Sequence, residues 1–287
     1  MEKTMVIGPF RFLITAEEQY ASLLNIEGFD MQSDIETEDF TVSVVSTDWT
    51  GIKGDLVYEG EFFDVYKEGN NEHRYCHQNV DGEKRCYMHN CLCGNQITVE
   101  FYNGVYVFGR TFEIWRYFFL EKLLLEKDGI ILHSSSILWN NGVLLFSAPS
   151  GTGKSTQANL WKKYENAEGV NGDRNLLIRY QGRWYCAGIP WHGSSTDCRN
   201  IFAPVRCISI IRQSPADEIA EISVMSRIKY LFSEITRNSW DASDVEKALG
   251  LVESLVMENT VVQLNCTMNR SAVECLKKRL EEEIWKS

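Results

Sequence analysis

The stretch Ala148-Pro-Ser-Gly-Thr-Gly-Lys-Ser155 constrains this chain more than any other. Two glycines within three residues interrupt any regular element, because glycine adopts backbone conformations that a side chain forbids. Before it stands "VLLFS", a short apolar run with the character of a buried strand. After it, "KSTQANLWKKYE" reads as an amphipathic helix. Strand, glycine-rich loop and helix is the order in which backbone N–H groups and a helix N-terminus converge on one anion. The spacing follows G-x-x-x-x-G-K-[ST] except at its first position, where Ala148 replaces glycine. Ser150, Gly151, Thr152, Gly153, Lys154, Ser155 and Thr156 are therefore the candidate phosphate-binding residues. In that arrangement Lys154 reaches the terminal phosphoryl oxygens and the Ser155 hydroxyl coordinates magnesium, so the expected ligands are ATP and Mg2+, with GTP left open.

The rest of the 287 residues sorts into two regions. Residues 1–110 read as β-rich. "TVSVVS" is a strand by β-branching, a hairpin is expected around Asp81-Gly82, and "ITVEFYNGVYVFG" reads as another with Asn103-Gly104 as its turn. From Phe112 to Gly129 apolar residues recur at helical spacing, which predicts a helix joining the two regions. Residues 111–287 hold the glycine-rich loop. There "GIILHSSSILW" and "VLLFS" read as strands around the turn Asn140-Asn141-Gly142. "NLLIRY" and "RWYCAGI" pair across Gln181-Gly182, and "VRCISII" is a strongly β-branched strand. Two helices, Ser243–Glu258 and one beginning at Ser271, flank the extended "VVQLNC". The expected fold class is α/β, with the loop on a mixed sheet and a β-rich region before it.

A generic loop of this kind is partnered by an apolar strand ending in aspartate. "VRCISII" is the obvious candidate, but it ends in Arg212 and Gln213. The nearest acid after the loop is Asp173, in "EGVNGDRNLLIRY". With that combination, "ILHSSSILWNNGVLLFSAPSGTGKSTQANLW", "NGDRNLLIRY" and "AGIPWHGSS", in this order, resemble the HPr kinase and phosphoenolpyruvate carboxykinase superfamily, in its kinase-like branch. The resemblance is strong over Leu132–Trp191, extends to about Asp128–Trp285, and leaves the first region unexplained. It implies a P-loop core of HPr kinase/carboxykinase type. It also implies that Asp173 binds Mg2+ or takes the proton from an attacking hydroxyl, and that His133 lies beside the terminal phosphate and metal. Ser155 and Asp173 are then the metal ligands, and Lys154, Asp173 and His133 the catalytic set. The family often carries two adjacent acids here, and Gly172 replaces the first.

The activity so implied is ATP-dependent transfer of the γ-phosphoryl group to a hydroxyl, serine foremost, of a protein or peptide. The further signature of true HPr kinases is missing, so HPr itself is not the expected acceptor; relatives of this shorter kind make a ribosomal peptide a candidate. Two alternatives stay open: a nucleotide-binding regulator without efficient chemistry, and a carboxykinase-like enzyme acting on a small acid. Trp191, His192, Gly193, Ser194 and Ser195 are either a substrate wall or a plain turn. Arg174, Arg199 and Arg206 are candidate phosphate clamps, Arg174 first because it adjoins Asp173. His73, Cys76, His77, Cys86, His89, Cys91 and Cys93 are chemically able to bind zinc, but their spacing is irregular and strand alternation sends neighbours to opposite faces.

A net charge of −11 argues against nucleic acid or an anionic membrane as partner. No apolar run reaches the roughly 18 residues of a membrane span. Nine cysteines, odd in number and scattered, suit free thiols in a reducing cytosol, so a cytoplasmic protein is expected. A homo-oligomer stays open.

Overall fold

A computed structural model of the chain describes residues 1–24, 26–30, 38–102, 118–191 and 197–284. It is a mixed α/β structure that divides into two compact units, Met1–Leu123 and Leu124–Ser287. The Asn103-Gly104 turn, residues 112–117 of the expected joining helix, and His192, Gly193, Ser194 and Ser195 lie outside the described residues.

The N-terminal unit is built on one sheet. Its strands are β1 (Glu2–Ile7), β2 (Phe10–Ala16), β3 (Glu38–Thr47), β4 (Asp55–Glu59), β5 (Phe63–Glu68), β6 (Asn71–Val80), β7 (Glu83–Cys93) and β8 (Gln96–Tyr102). They lie in the order β1-β2-β3-β8-β7-β6-β5-β4. Only the β2/β3 and β3/β8 pairs are parallel. Phe12, Ile14, Phe40, Val42, Val44, Val99 and Phe101 form the buried core of this sheet. The β6/β7 hairpin turns on Asp81 (φ 53°) and Gly82 (φ 83°), a two-residue turn whose left-handed backbone matches the twist of the strands it joins.

Where the apolar spacing predicts a helix running to Gly129, the described part forms only the short α1 (Leu120–Glu126). Phe119 stands in the left-handed region just before it (φ 54°) and Asp128 just after it (φ 57°), so helical geometry cannot continue past either.

The C-terminal unit carries β9 (Gly129–His133), β10 (Ser135–Trp139), β11 (Gly142–Ser147), α2 (Lys154–Glu165), β12 (Glu168–Asn171), β13 (Arg174–Tyr180), β14 (Arg183–Ala187), β15 (Phe202–Gln213), β16 (Glu218–Ala220), α3 (Val224–Glu234), β17 (Ile235–Thr236), α4 (Ala242–Glu258), β18 (Val261–Cys266) and α5 (Arg270–Ile284). The long β15 holds the sheet together. Its C-terminal half pairs in parallel with β11 on one edge and β18 on the other, and its first residues pair antiparallel with β14. Beyond β14 come β13, β9 and β17; beyond β11 come β10 and β12.

This sheet is covered on both faces, which is why β11 reads as an unbroken apolar run: Gly142–Ser147 is buried at every position. On one face Val143, Leu145, Ile208 and Ile210 pack against Ile228 and Leu231 of α3 and Leu251, Val252 and Leu255 of α4. On the other, Leu144, Phe146, Cys207 and Ile211 pack against Trp161 of α2 and Leu276 and Leu280 of α5. "GIILHSSSILW" is not one strand but two. At Ser134 the chain leaves the β13 side of the sheet for the β11 side, with β9 paired to β13 and β10 paired to β11. That crossing leaves His133 at the last position of β9.

Candidate functional site

The glycine-rich segment leaves the C-terminal end of β11 and enters α2 directly. Gly151 (φ 79°) and Gly153 (φ 115°) occupy backbone conformations that side chains rarely adopt, and Gly153 is the N-cap of α2. A Cβ built on either would meet no atom within 4 Å, so the loop is open above its glycines. Lys154 opens α2 with only 7% of its surface exposed, and its ammonium donates to the carbonyls of Ala148 at 2.7 Å and Pro149 at 3.4 Å. Burial pushes its pKa down, while the carboxylates of Glu234 and Asp173 act against that. The side-chain amide of Gln213, from the end of β15, donates to the Thr152 carbonyl at 3.3 Å.

Asp173 reaches the same place from the short turn between β12 and β13. Asn171 builds that turn. Its buried side-chain oxygen accepts from the N–H groups of Asp173 (2.9 Å) and Arg174 (3.1 Å), and its amide nitrogen donates to the carbonyls of Ile189 (3.2 Å) and Trp191 (2.8 Å). The β9/β13 pairing sets Arg174 opposite His133, which brings the imidazole to Asp173 with Nε2 3.5 Å from Oδ1. On its other side His133 Nδ1 lies 3.0 Å from Glu234 Oε2, at the end of α3. The imidazole thus stands between two carboxylates, one at each ring nitrogen. Hydrogen bonding from His133, then the positive charges of Arg174, His133 and Lys154, hold Asp173 below the usual carboxylate range against the effect of burial. Asp173 is thus ionised at neutral pH and keeps 35% of its side chain exposed.

The loop and the acid meet through one hydroxyl. Ser135 Oγ lies 3.4 Å from Ser155 Oγ and donates to the Gly172 carbonyl at 2.9 Å. Beneath it, Asn175 donates to Ser134 O at 2.7 Å and accepts from the Ser136 hydroxyl, a fully buried and satisfied polar layer. Lys154, Ser155, Asp173 and His133 are therefore gathered at one end of the sheet. Trp191 touches the site through its backbone carbonyl. Arg174 lies 3.6 Å from Asp173 and also donates to Thr236. Arg199 and Arg206 do not reach the site: Arg199 pairs with Glu168, and Arg206 lies 4.8 Å from the centre of the Trp139 ring.

Sequence reasoning missed Glu234, Ser135 and Asn171. Ser135 and Asn171 lie inside the quoted "ILHSSSILW" and "NGDRNLLIRY" segments and Glu234 in none of them; only the meeting of distant strands and the end of α3 gives the three a role. In the N-terminal unit, the histidine–cysteine cluster resolves into strand pairs. His73 Nδ1 lies 2.9 Å from His89 Nε2, whose Nδ1 meets Glu100 at 2.7 Å, and His77 faces Asp64 at 3.4 Å. Among the described residues no group of three or more His, Cys, Asp or Glu side chains is arranged to hold a metal ion, and no disulfide joins any of the nine cysteines. No helix among them is long and apolar enough to cross a membrane.

No protein-family model matches this chain, and no curated protein is significantly similar to it. Among solved structures, the chain is similar to the HPr(Ser) kinase/phosphatase from Coxiella burnetii, with 10% identity and a TM-score of 0.31, over 54% of this chain and 94% of that one. That likeness is distant.

Proposed function

We propose that the C-terminal unit is a Mg2+-dependent kinase of HPr kinase-like type, transferring the γ-phosphoryl group of ATP to a serine hydroxyl of a protein or peptide. The observation that supports this most directly is the Ser135 hydroxyl, which links Ser155 of the loop to the turn that carries Asp173. The donors fit the ligands. The open glycine backbone and the buried Lys154 ammonium suit a triphosphate, and the Ser155 hydroxyl and Asp173 carboxylate are the hard oxygen donors that magnesium prefers. Magnesium held there would neutralise charge on the β- and γ-phosphate oxygens.

In the reaction, the acceptor oxygen bonds to the γ-phosphorus as the bond to the β–γ bridging oxygen breaks, and ADP leaves. Asp173 orients the acceptor hydroxyl and receives its proton, with the His133 imidazole 3.5 Å away to hold the carboxylate in place. Partial exposure of Asp173 gives a macromolecular acceptor access. Little covalent help is needed, since phosphoryl transfer is carried by positioning and charge neutralisation.

The test is label transfer from γ-labelled ATP to serine-containing peptides by wild type and Asp173→Asn. The kinase reading expects Mg2+-dependent labelling by wild type and its loss in Asp173→Asn, with nucleotide binding retained. Equal labelling by both proteins would contradict the role of Asp173. Tight nucleotide binding with no labelling of any acceptor would favour a nucleotide-binding regulator, the reading to which Gly172 and the acid-free end of β15 lend support.

A further inference from the structure

If an acid is missing from the end of β15, what stands there instead is a cation. Arg212 is the next-to-last residue of that strand. The parallel register pairs Ser147 with Ile210, so β15 delivers Arg212 at the level where β11 gives way to the glycine-rich loop. The neighbouring residue, Gln213, is tied to that loop through Thr152. Strand alternation places Arg212 on the face of Ile208 and Ile210, the face covered by α3. Tyr230 of α3 stands on that face, donating its hydroxyl to the Ser147 carbonyl at 3.4 Å. It feels the opposing charges of Glu234 and Arg212, with burial the main influence on its pKa. Arg212 is thus near the loop on one side and, through Tyr230, near the Glu234–His133–Asp173 line on the other.

Its lack of a competing partner sets it apart. Arg174 is engaged by Asp173 and Thr236, Arg199 by Glu168, and Arg206 by the Trp139 ring. Arg212 is exposed and makes no ion pair or side-chain hydrogen bond among the described residues. A guanidinium offers a planar fork of donors that fits phosphoryl oxygens two at a time, and transferring phosphate spreads its charge over just such oxygens.

Resting on the kinase reading above, we infer that Arg212 is a catalytic residue: it grips the γ-phosphoryl group during transfer, a cation standing where related loops use an acid to hold metal. The donor of the group is ATP and the leaving group ADP.

The experiment measures binding of ADP and of a non-hydrolysable ATP analogue, each with Mg2+, by calorimetry to wild type, Arg212→Gln and Arg212→Lys, alongside turnover. Melting temperatures check that the variants fold, as an exposed position should allow. Arg212→Gln should weaken the triphosphate analogue about tenfold or more while changing ADP by less than about threefold. Its turnover should fall by about a hundredfold or more. Arg212→Lys should recover part of the binding but little of the rate, because it lacks the fork. Unchanged triphosphate binding and turnover in Arg212→Gln would overturn the inference and leave the kinase reading intact. An equal loss of ADP and triphosphate binding would also overturn it, by removing γ-selectivity. Failure of wild type to bind either nucleotide would instead strike down the kinase reading, and the inference with it.

Discussion

Replacing Asn171 with alanine tests how the acid-bearing turn is held. The side chain is fully buried and its amide serves four backbone groups: the N–H groups of Asp173 and Arg174 and the carbonyls of Ile189 and Trp191. A net hydrogen bond contributes about 1 kcal/mol, and a buried group left unpaired costs more, so the loss should come to about 3–4 kcal/mol. Against a total stability of about 5–15 kcal/mol that is a large share. With a urea slope of about 1–3 kcal/mol per molar, the midpoint of the C-terminal unit should drop by about 1–4 M. Urea unfolding followed by hydrogen exchange of the β12 and β13 amides isolates that unit from the N-terminal one. Asn171→Asp sharpens the case. It keeps both acceptor contacts but turns the two donations into a carboxylate facing two carbonyls, so it should destabilise at neutral pH and recover, relative to wild type, as acid protonates it. A midpoint shift below about 0.3 M for Asn171→Ala would refute the claim that this amide organises the turn.

Two other outcomes follow from single residues. Gly153 has a φ of 115° with open space where a Cβ would sit, so Gly153→Ala meets conformational strain rather than a clash; thermal unfolding should register a loss of about 1–3 kcal/mol, and ATP affinity should fall with it. An alanine variant as stable and as tightly binding as wild type would show that the loop's backbone shape does not matter. His73 is 2% exposed, and burial first, then the charge of His89, pushes its pKa below the usual 6.5. The unfolded chain therefore binds that proton more readily, so this contribution is complete above about pH 6.5 and is lost as pH falls toward and through the lowered value. The N-terminal unit should melt at a lower temperature at pH 5.5 than at pH 7.5, and His73→Gln should reduce the difference; a melting temperature that ignores this pH change would count against the buried imidazole pair.

The local parts of the site were legible because their signals are local. The fully apolar "VLLFS", the two glycines and the "KSTQANLWKKYE" pattern each dictate their own backbone, and β11 and α2 begin and end close to where those patterns do. Asn140 and Asn141 both take left-handed conformations, as a two-residue turn between β10 and β11 requires. What the sequence conceals is which strand ends lie side by side. His133 and Asp173 are forty residues apart and meet only because β9 and β13 pair in the register Arg174–His133. The break at Ser134 hides inside "IILHSSSILW", which has no glycine or proline to mark it, because a strand that changes partners needs neither. Glu234 closes an ordinary amphipathic helix, and its place beside His133 depends on how α3 packs on the sheet. Arg212 was visible only as a departure from expectation; the register of β15 gives that departure a location.

The central claim is that the segment from Ala148 to Ser155 binds the triphosphate of a nucleotide through Lys154. Calorimetric titration of wild type and Lys154→Ala with Mg2+-ATP tests it most directly, since the lysine ammonium is buried beneath the loop against the Ala148 and Pro149 carbonyls. Saturable one-to-one binding by wild type, weakened about tenfold or more in a folded Lys154→Ala, is the predicted result. Binding of equal strength in the two proteins, or no binding by wild type, would contradict it.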